Sequence, residues 1–465
     1  MTIRPGRGDE ILLEPPLVDH GDVVPAIEDR SYIVFIAGAM GMGVTGGFAL
    51  AVAVSLAASG VFWEDRLPWL IQAHGSSQLE GWAGLFVAGM GLRLLPRFAG
   101  RRPLPKGINL SVFALLFSGV VVRTIAQPAA GAGPSVAGLL LGQLLWSAGA
   151  VLFAAVVATT LLRGRGLGQP WHAFAVAGVA WWLVWAATSV AAGVRAAHND
   201  AYVPNTLDDA MTWTVMLGAI GNFIWAVQSR SVPIFFGRKI PTLRRAVFPA
   251  LLLNAGVALI FGAGWVGDPT TVSRLTGSGF LLTGAGLISL APLAGSCWGA
   301  AKRLRPRARS AARFVLFANR AAVVCGLLLI WAGIRTLGEG QFAAAGVRDA
   351  ARHAFGVGVI TLLIVGMAQL VAPFFALRRA ESQRVWLVDH GIFWLLATAA
   401  ILRVSAGLLL GHVDTDMRMH IAAVAGSLAW AGLVLFAITV FRAVRNEPRI
   451  RAALAVDTSR AARPR

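Results

Sequence analysis

The chain has 465 residues, 57% of them hydrophobic and only 14% charged, with a formal net charge of +19. Soluble proteins carry about 25% charged residues, so this chain lacks the polar groups to cover a globular surface in water and reads as an integral membrane protein. Its only two cysteines, Cys297 and Cys325, exclude a disulfide scaffold.

In chain order, residues 1–30 hold acids and four prolines but no apolar run, so they read as a solvated cytoplasmic segment without a cleavable secretory signal. A transmembrane helix needs about 20 apolar residues. Twelve stretches meet that need, roughly 31–60, 71–95, 109–131, 135–162, 171–194, 209–232, 245–267, 273–300, 313–337, 350–377, 385–410 and 417–443. The expected fold is therefore all-α, a polytopic bundle of about twelve helices forming one transmembrane domain over 31–445. A basic cytoplasmic tail, 446–465, follows. No internal repeat stands out. The glycine-rich run at 41–47 lies inside an apolar span and lacks a following lysine, so it reads as a helix-packing surface rather than a phosphate loop.

The positive charges sort by loop. Arg101, Arg102 and Lys106 follow span 2, and Arg163 and Arg165 follow span 4. Arg238, Lys239, Arg244 and Arg245 follow span 6, and Arg303, Arg305 and Arg307 follow span 8. Cytoplasmic loops carry the Lys/Arg excess, so the even-numbered loops and both termini are expected inside, in a bacterial inner membrane. The +19 balance becomes a topology signal. No basic soluble domain exists to carry nucleic acid.

That topology places five of the eight histidines on the outer side: His74, His198, His353, His412 and His420. Glu80 lies six residues past His74, about 9 Å along a helix at 1.5 Å per residue. Arg123, Arg403 and Arg335 fall in the same outer half. Ionisable groups inside a membrane are functional hypotheses by default. His74 on span 2 and His353 on span 10 have matching depth, and two such histidines can ligate a haem iron between them. His420 is a reserve ligand, and the three arginines suit the haem propionates. The plainer alternatives are solvated histidines at helix ends and a structural Glu80–arginine pair.

Local runs sharpen this reading. The run HGSSQLEGWAGLFVAGMGLRLLPRF (74–98) resembles the span-2 region of NnrS-family membrane proteins. RHAFGVGVITLLIVGMAQLVAPFF (352–375) and GNFIWAVQSRSVPIFFG (221–237) are similar to two further family segments. The resemblance implies a haem- and copper-containing membrane protein linked to nitric oxide metabolism. It implies His74 and His353 as metal ligands to a haem b, with nitric oxide or a redox partner as the interacting species. More distantly, histidines on spans 2 and 10 resemble the low-spin haem ligands of haem–copper oxidase subunit I.

Two departures matter. The family's His-x-His has Ser76 in its second position, which removes a possible copper ligand. Spans 6 and 7 contain no histidine, so the binuclear centre of a terminal oxidase is not expected. A secondary transporter, or a scaffold that has lost its cofactor, are the competing expectations.

Overall fold

The computed structural model describes residues 30–130, 133–293, 297, 304, 306–340, 342–372 and 383–461. The first 29 residues, expected as a solvated segment, lie outside the described residues, as do the last four of the tail. Residues 31–465 form one compact unit.

Among the described residues the fold is helical throughout, with no strand. Hydrocarbon offers the backbone no hydrogen-bonding partner, so each apolar run satisfies its own N–H and C=O groups as a helix. Twelve continuous helices result: α1 (Tyr32–Ala58), α2 (67–98), α3 (Lys106–Ala129), α4 (Pro134–Arg163), α5 (Pro170–Ala197), α6 (Asn205–Phe235), α7 (Leu243–Ala263), α8 (Pro269–Leu290), α9 (Arg309–Glu339), α10 (Ala345–Val371), α11 (Arg384–Leu408) and α12 (Thr415–Ala461). Ten of them are long and apolar enough to cross a membrane. The two that are not, α2 and α8, are diluted by polar residues such as Gln72, His74, Glu80 and Arg93 in α2.

Several boundaries differ from expectation. Span 8 was expected over 273–300, but α8 starts at Pro269 and ends at Leu290. Asp268 caps its start by accepting from the Thr271 N–H at 2.7 Å. That carboxyl is held below its usual range by the Thr271 hydrogen bonds. Span 10 was expected to reach 377. α10 stops at Val371, with Ala372 extended, because the residue before Pro373 is sterically pushed out of the helical region. At the other end of the chain, α12 runs on through the expected tail to Ala461.

Loop contacts establish alternation. The Arg66 guanidinium donates to the Ala130 carbonyl and Trp69 Nε1 donates to the Asp200 carbonyl at 2.8 Å. The connections after α1, α3 and α5 therefore meet at one end. At the opposite end the Arg165 N–H donates to the Ala99 carbonyl at 2.8 Å, joining the connections after α2 and α4.

Small residues set the helix spacing, as the composition implied. A Cβ on Gly119 of α3 would lie 2.4 Å from the Trp146 backbone nitrogen of α4. One on Gly284 of α8 would lie 2.5 Å from the Gly326 carbonyl of α9. The glycine-rich run is indeed a packing surface: a Cβ on Gly46 would lie 2.6 Å from Ser77 Oγ. Trp171, near the start of α5, is fully buried, whereas Trp63 is exposed.

An internal repeat that the sequence analysis did not find becomes visible here. α2, α6 and α10, four helices apart, are each interrupted by a π-helical segment: Ser77–Gly84, Thr214–Ile220 and Ala354–Thr361. Each is followed by a proline near the helix end: Pro96, Pro233 and Pro373. The shared pattern is Arg93-x-x-Pro96-x-Phe98, Arg230-x-x-Pro233-x-Phe235 and, one residue longer, Gln369 to Pro373 and Phe375. In the first two, Gly100 (φ +64) and Gly237 (φ +62) end the helix in the left-handed region.

Candidate functional site

α1 carries a fourth π segment, Gly43–Ala49. A π segment widens the helix and displaces the side chains after it, and such segments recur at functional sites. Residues of all four π segments, Phe48, Glu80, Met216 and Ile360 among them, line one cavity of about 430 Å³. That volume falls within the roughly 300–1,000 Å³ of ligand and cofactor sites.

His74 of α2 and His353 of α10 both line this cavity. His74 Nδ1 donates to the Gly47 carbonyl at 3.0 Å. His353 Nδ1 donates to the Asp349 carbonyl at 2.8 Å. A carbonyl only accepts, so in the neutral form each ring carries its proton on Nδ1 and has its lone pair on Nε2. That is the tautomer a metal ligand needs, and a hydrogen bond to the second nitrogen is what fixes it.

The walls divide by polarity. Phe48, Leu79, Trp82, Val215 and Ile360 supply an apolar slot. Trp82 is held by its Nε1 donating to Thr361 Oγ1 at 3.1 Å. Behind it, Trp185, which lines the cavity, packs 4.0 Å, centroid to centroid, from Trp146.

The polar wall is a set of ion pairs. Glu80 and Arg123 meet at 2.5 Å, with 3% and 6% of their side chains exposed. Arg123 Nε also donates to Gln127 at 3.3 Å, and Gln127 donates to Gln72 at 2.7 Å. Gln72 in turn donates to the Val203 carbonyl at 2.7 Å, fastening the connection after α5. Arg403 of α11 grips Asp349 through two hydrogen bonds, 2.7 and 3.1 Å. Asp349 Oδ1 lies 3.4 Å from His353 Nδ1. Asp209 pairs with both Arg348 and Arg352.

Of the residues expected at the site, His74, His353, Glu80, Arg123 and Arg403 converge on the cavity. Arg123 and Arg403 each already hold a carboxylate there. Arg335 and His420 are not brought to it. Arg335 pairs along its own helix with Glu339 at 2.6 Å, and His420 is exposed with its Nδ1 on the Asp416 carbonyl. In their place the fold brings Asp208, Asp349, Arg352 and Arg418 into the wall. Arg352 and Arg418 carried the signal of an ionisable residue in an apolar span, whereas Asp208 and Asp349 fall one residue before the expected spans. All four escaped notice because they lie within the first eight residues of α6, α10 and α12, where charge reads as a solvated helix end. Ser76, in place of the second family histidine, also lines the cavity and donates to its own helix at Ala73.

Among the described residues no three of His, Cys, Asp and Glu converge as a metal site. A haem iron needs only axial ligands, because the porphyrin supplies the rest. The paired tautomers, the apolar slot and the guanidinium-lined wall fit that group. Both cysteines are buried away as free thiols.

No family model matches the chain and no curated protein matches it. The resemblance to NnrS proteins rests on the quoted runs alone.

Proposed function

We propose that this is an NnrS-like, twelve-span haem-binding protein of a bacterial inner membrane, with both termini in the cytoplasm. One b-type haem is held by His74 and His353 in the outer half. What carries the reading is that two histidines from α2 and α10 line one cavity with their Nδ1 protons both committed to backbone carbonyls. Trp82 and Val215 would exclude water from the ring, and the arginine-bearing wall would face its carboxylates. When bound, the haem supplies one-electron transfer, or nitric oxide binding if one axial position stays open. Copper has no comparable support, given Ser76. A role in nitric oxide stress or electron transfer follows from the resemblance alone.

The test is a dithionite-reduced minus oxidised spectrum of protein purified from cells supplied with haem. Soret and α bands are expected, and their absence refutes the proposal. His74→Ala and His353→Ala should each lower occupancy or shift the bands; two unchanged spectra refute the ligand assignment.

A secondary transporter is the second reading, and one observation favours it. Four helices carry π distortions around a charged cavity, a lesser form of the broken helices at which transporters bind substrate. A folded protein that never takes up haem would move the assignment there, or to a scaffold that has lost its cofactor.

A further inference from the structure

At the opposite end of the bundle from the histidine cavity's polar wall, the connection after α2 meets the end of α4. Between them is a groove of about 710 Å³, lined by Arg101, Arg102, Leu104, Ile108, Val156 and Arg163. Three guanidinium groups from two segments converge there. None has an ion-pair partner among the described residues. The sequence explains why: no acidic residue occurs between Glu80 and Asp200. The rim is fixed rather than floppy, because the Arg165 N–H bonds the Ala99 carbonyl and Gly100 turns in the left-handed region.

Below the arginines the groove is apolar and outward-facing. Ile108 is 38% exposed, and Leu162, beside Arg163 at the end of α4, is 86% exposed. α4 ends at Arg163 and α3 begins at Lys106, so the arginines stand where the apolar helices stop. The charge bias assigns this end to the cytoplasmic leaflet, whose anionic lipids attract basic residues at that level.

We propose that this groove binds an anionic glycerophospholipid. Its phosphodiester would take Arg101, Arg102 and Arg163, and an acyl chain would lie along Ile108 and Val156. A free phosphate or a cytoplasmic polyanion satisfies the arginines but leaves the apolar floor exposed, which is why a lipid is the favoured occupant.

The experiment uses full-length protein delipidated in neutral detergent, then offered phosphatidylglycerol or phosphatidylcholine and read by native mass spectrometry. Retention of phosphatidylglycerol over phosphatidylcholine is expected. Each basic residue near a membrane surface is worth about fivefold in binding. Arg101→Gln/Arg102→Gln/Arg163→Gln should therefore weaken phosphatidylglycerol binding on the order of a hundredfold. Ala155→Trp, which fills the floor and keeps the arginines, should also displace the lipid. Wild-type retention in either variant overturns the proposal. So does displacement of the lipid by millimolar inorganic phosphate, which would mark a free-phosphate site. Equal retention of phosphatidylcholine overturns the charge selectivity. If the triple variant does not fold, the Ala155→Trp result decides.

Discussion

Removing Arg123 alone should be among the most damaging single changes in this protein. Its guanidinium meets Glu80 at 2.5 Å, and both side chains are almost wholly buried. Glu80 Oε2 has no hydrogen-bond partner, so the carboxylate depends on Arg123 through its other oxygen. Arg123→Met strands that carboxylate in the bundle interior. Breaking a buried pair from one side costs about 3–5 kcal/mol. Glu80→Gln is milder, because an amide oxygen still accepts from Arg123; losing the charged acceptor costs about 1.5–3 kcal/mol. Glu80→Leu with Arg123→Met removes both charges, and such double replacements are often neutral or stabilising. The double variant should therefore be more stable than Arg123→Met alone, with a coupling of at least about 2 kcal/mol. Reversible unfolding in mixed micelles, followed by tryptophan fluorescence, measures the members of the cycle: Arg123→Met, Glu80→Leu and the double variant. A cost below about 1 kcal/mol for Arg123→Met refutes the reasoning. So does a double variant whose cost equals the sum of the single ones.

Asp349 and Arg403 act on His353 rather than on the ligand's own carboxylates. If haem is bound, Asp349→Asn should shift its midpoint potential and spectrum while leaving occupancy largely intact. Losing the group that orients a metal-ligating histidine commonly costs 10–100-fold in metal affinity, so a potential and affinity both identical to wild type would count against this role. Gly119→Val should destabilise the protein by more than the roughly 1–3 kcal/mol of ordinary overpacking, because its Cβ meets the Trp146 backbone at 2.4 Å and backbone cannot rotate away. Near-wild-type thermal stability would contradict that packing. Asp268 offers a pH test. Its folded-state carboxyl titrates below the usual range, so its contribution to stability is complete above the ordinary carboxylate value. It is lost as pH falls through the depressed one. Asp268→Asn, which still caps the helix, should flatten this acid-side dependence, and an unchanged acid profile would remove Asp268 from it.

The helical character, the approximate spans and the expectation that His74 and His353 lie at one level were all readable in one dimension, and both residues line one cavity. Apolar runs have no alternative to helix in lipid, and alternating loop charge orders helix ends by side. Depth alone therefore brings two histidines to one level. Azimuth is what depth leaves out. Arg335 and Arg403 were expected at one level, yet α9 turns Arg335 toward Glu339 on the surface while α11 turns Arg403 inward onto Asp349. His420 and Arg418 lie two residues apart on α12, about 200° around a helix of 3.6 residues per turn. Only Arg418 faces the cavity. The π segments add to this uncertainty, because each rotates the residues after it by an amount no periodicity encodes. The same segments, with the prolines after them, are what exposed the repeat of α2, α6 and α10; in sequence its remaining identities are too few to notice. Composition marked this chain as a polytopic membrane protein, and loop charge set an expectation of its orientation. Which charged side chains meet in its interior was decided by helix rotation and close glycine contacts, and those exist only once the bundle has formed.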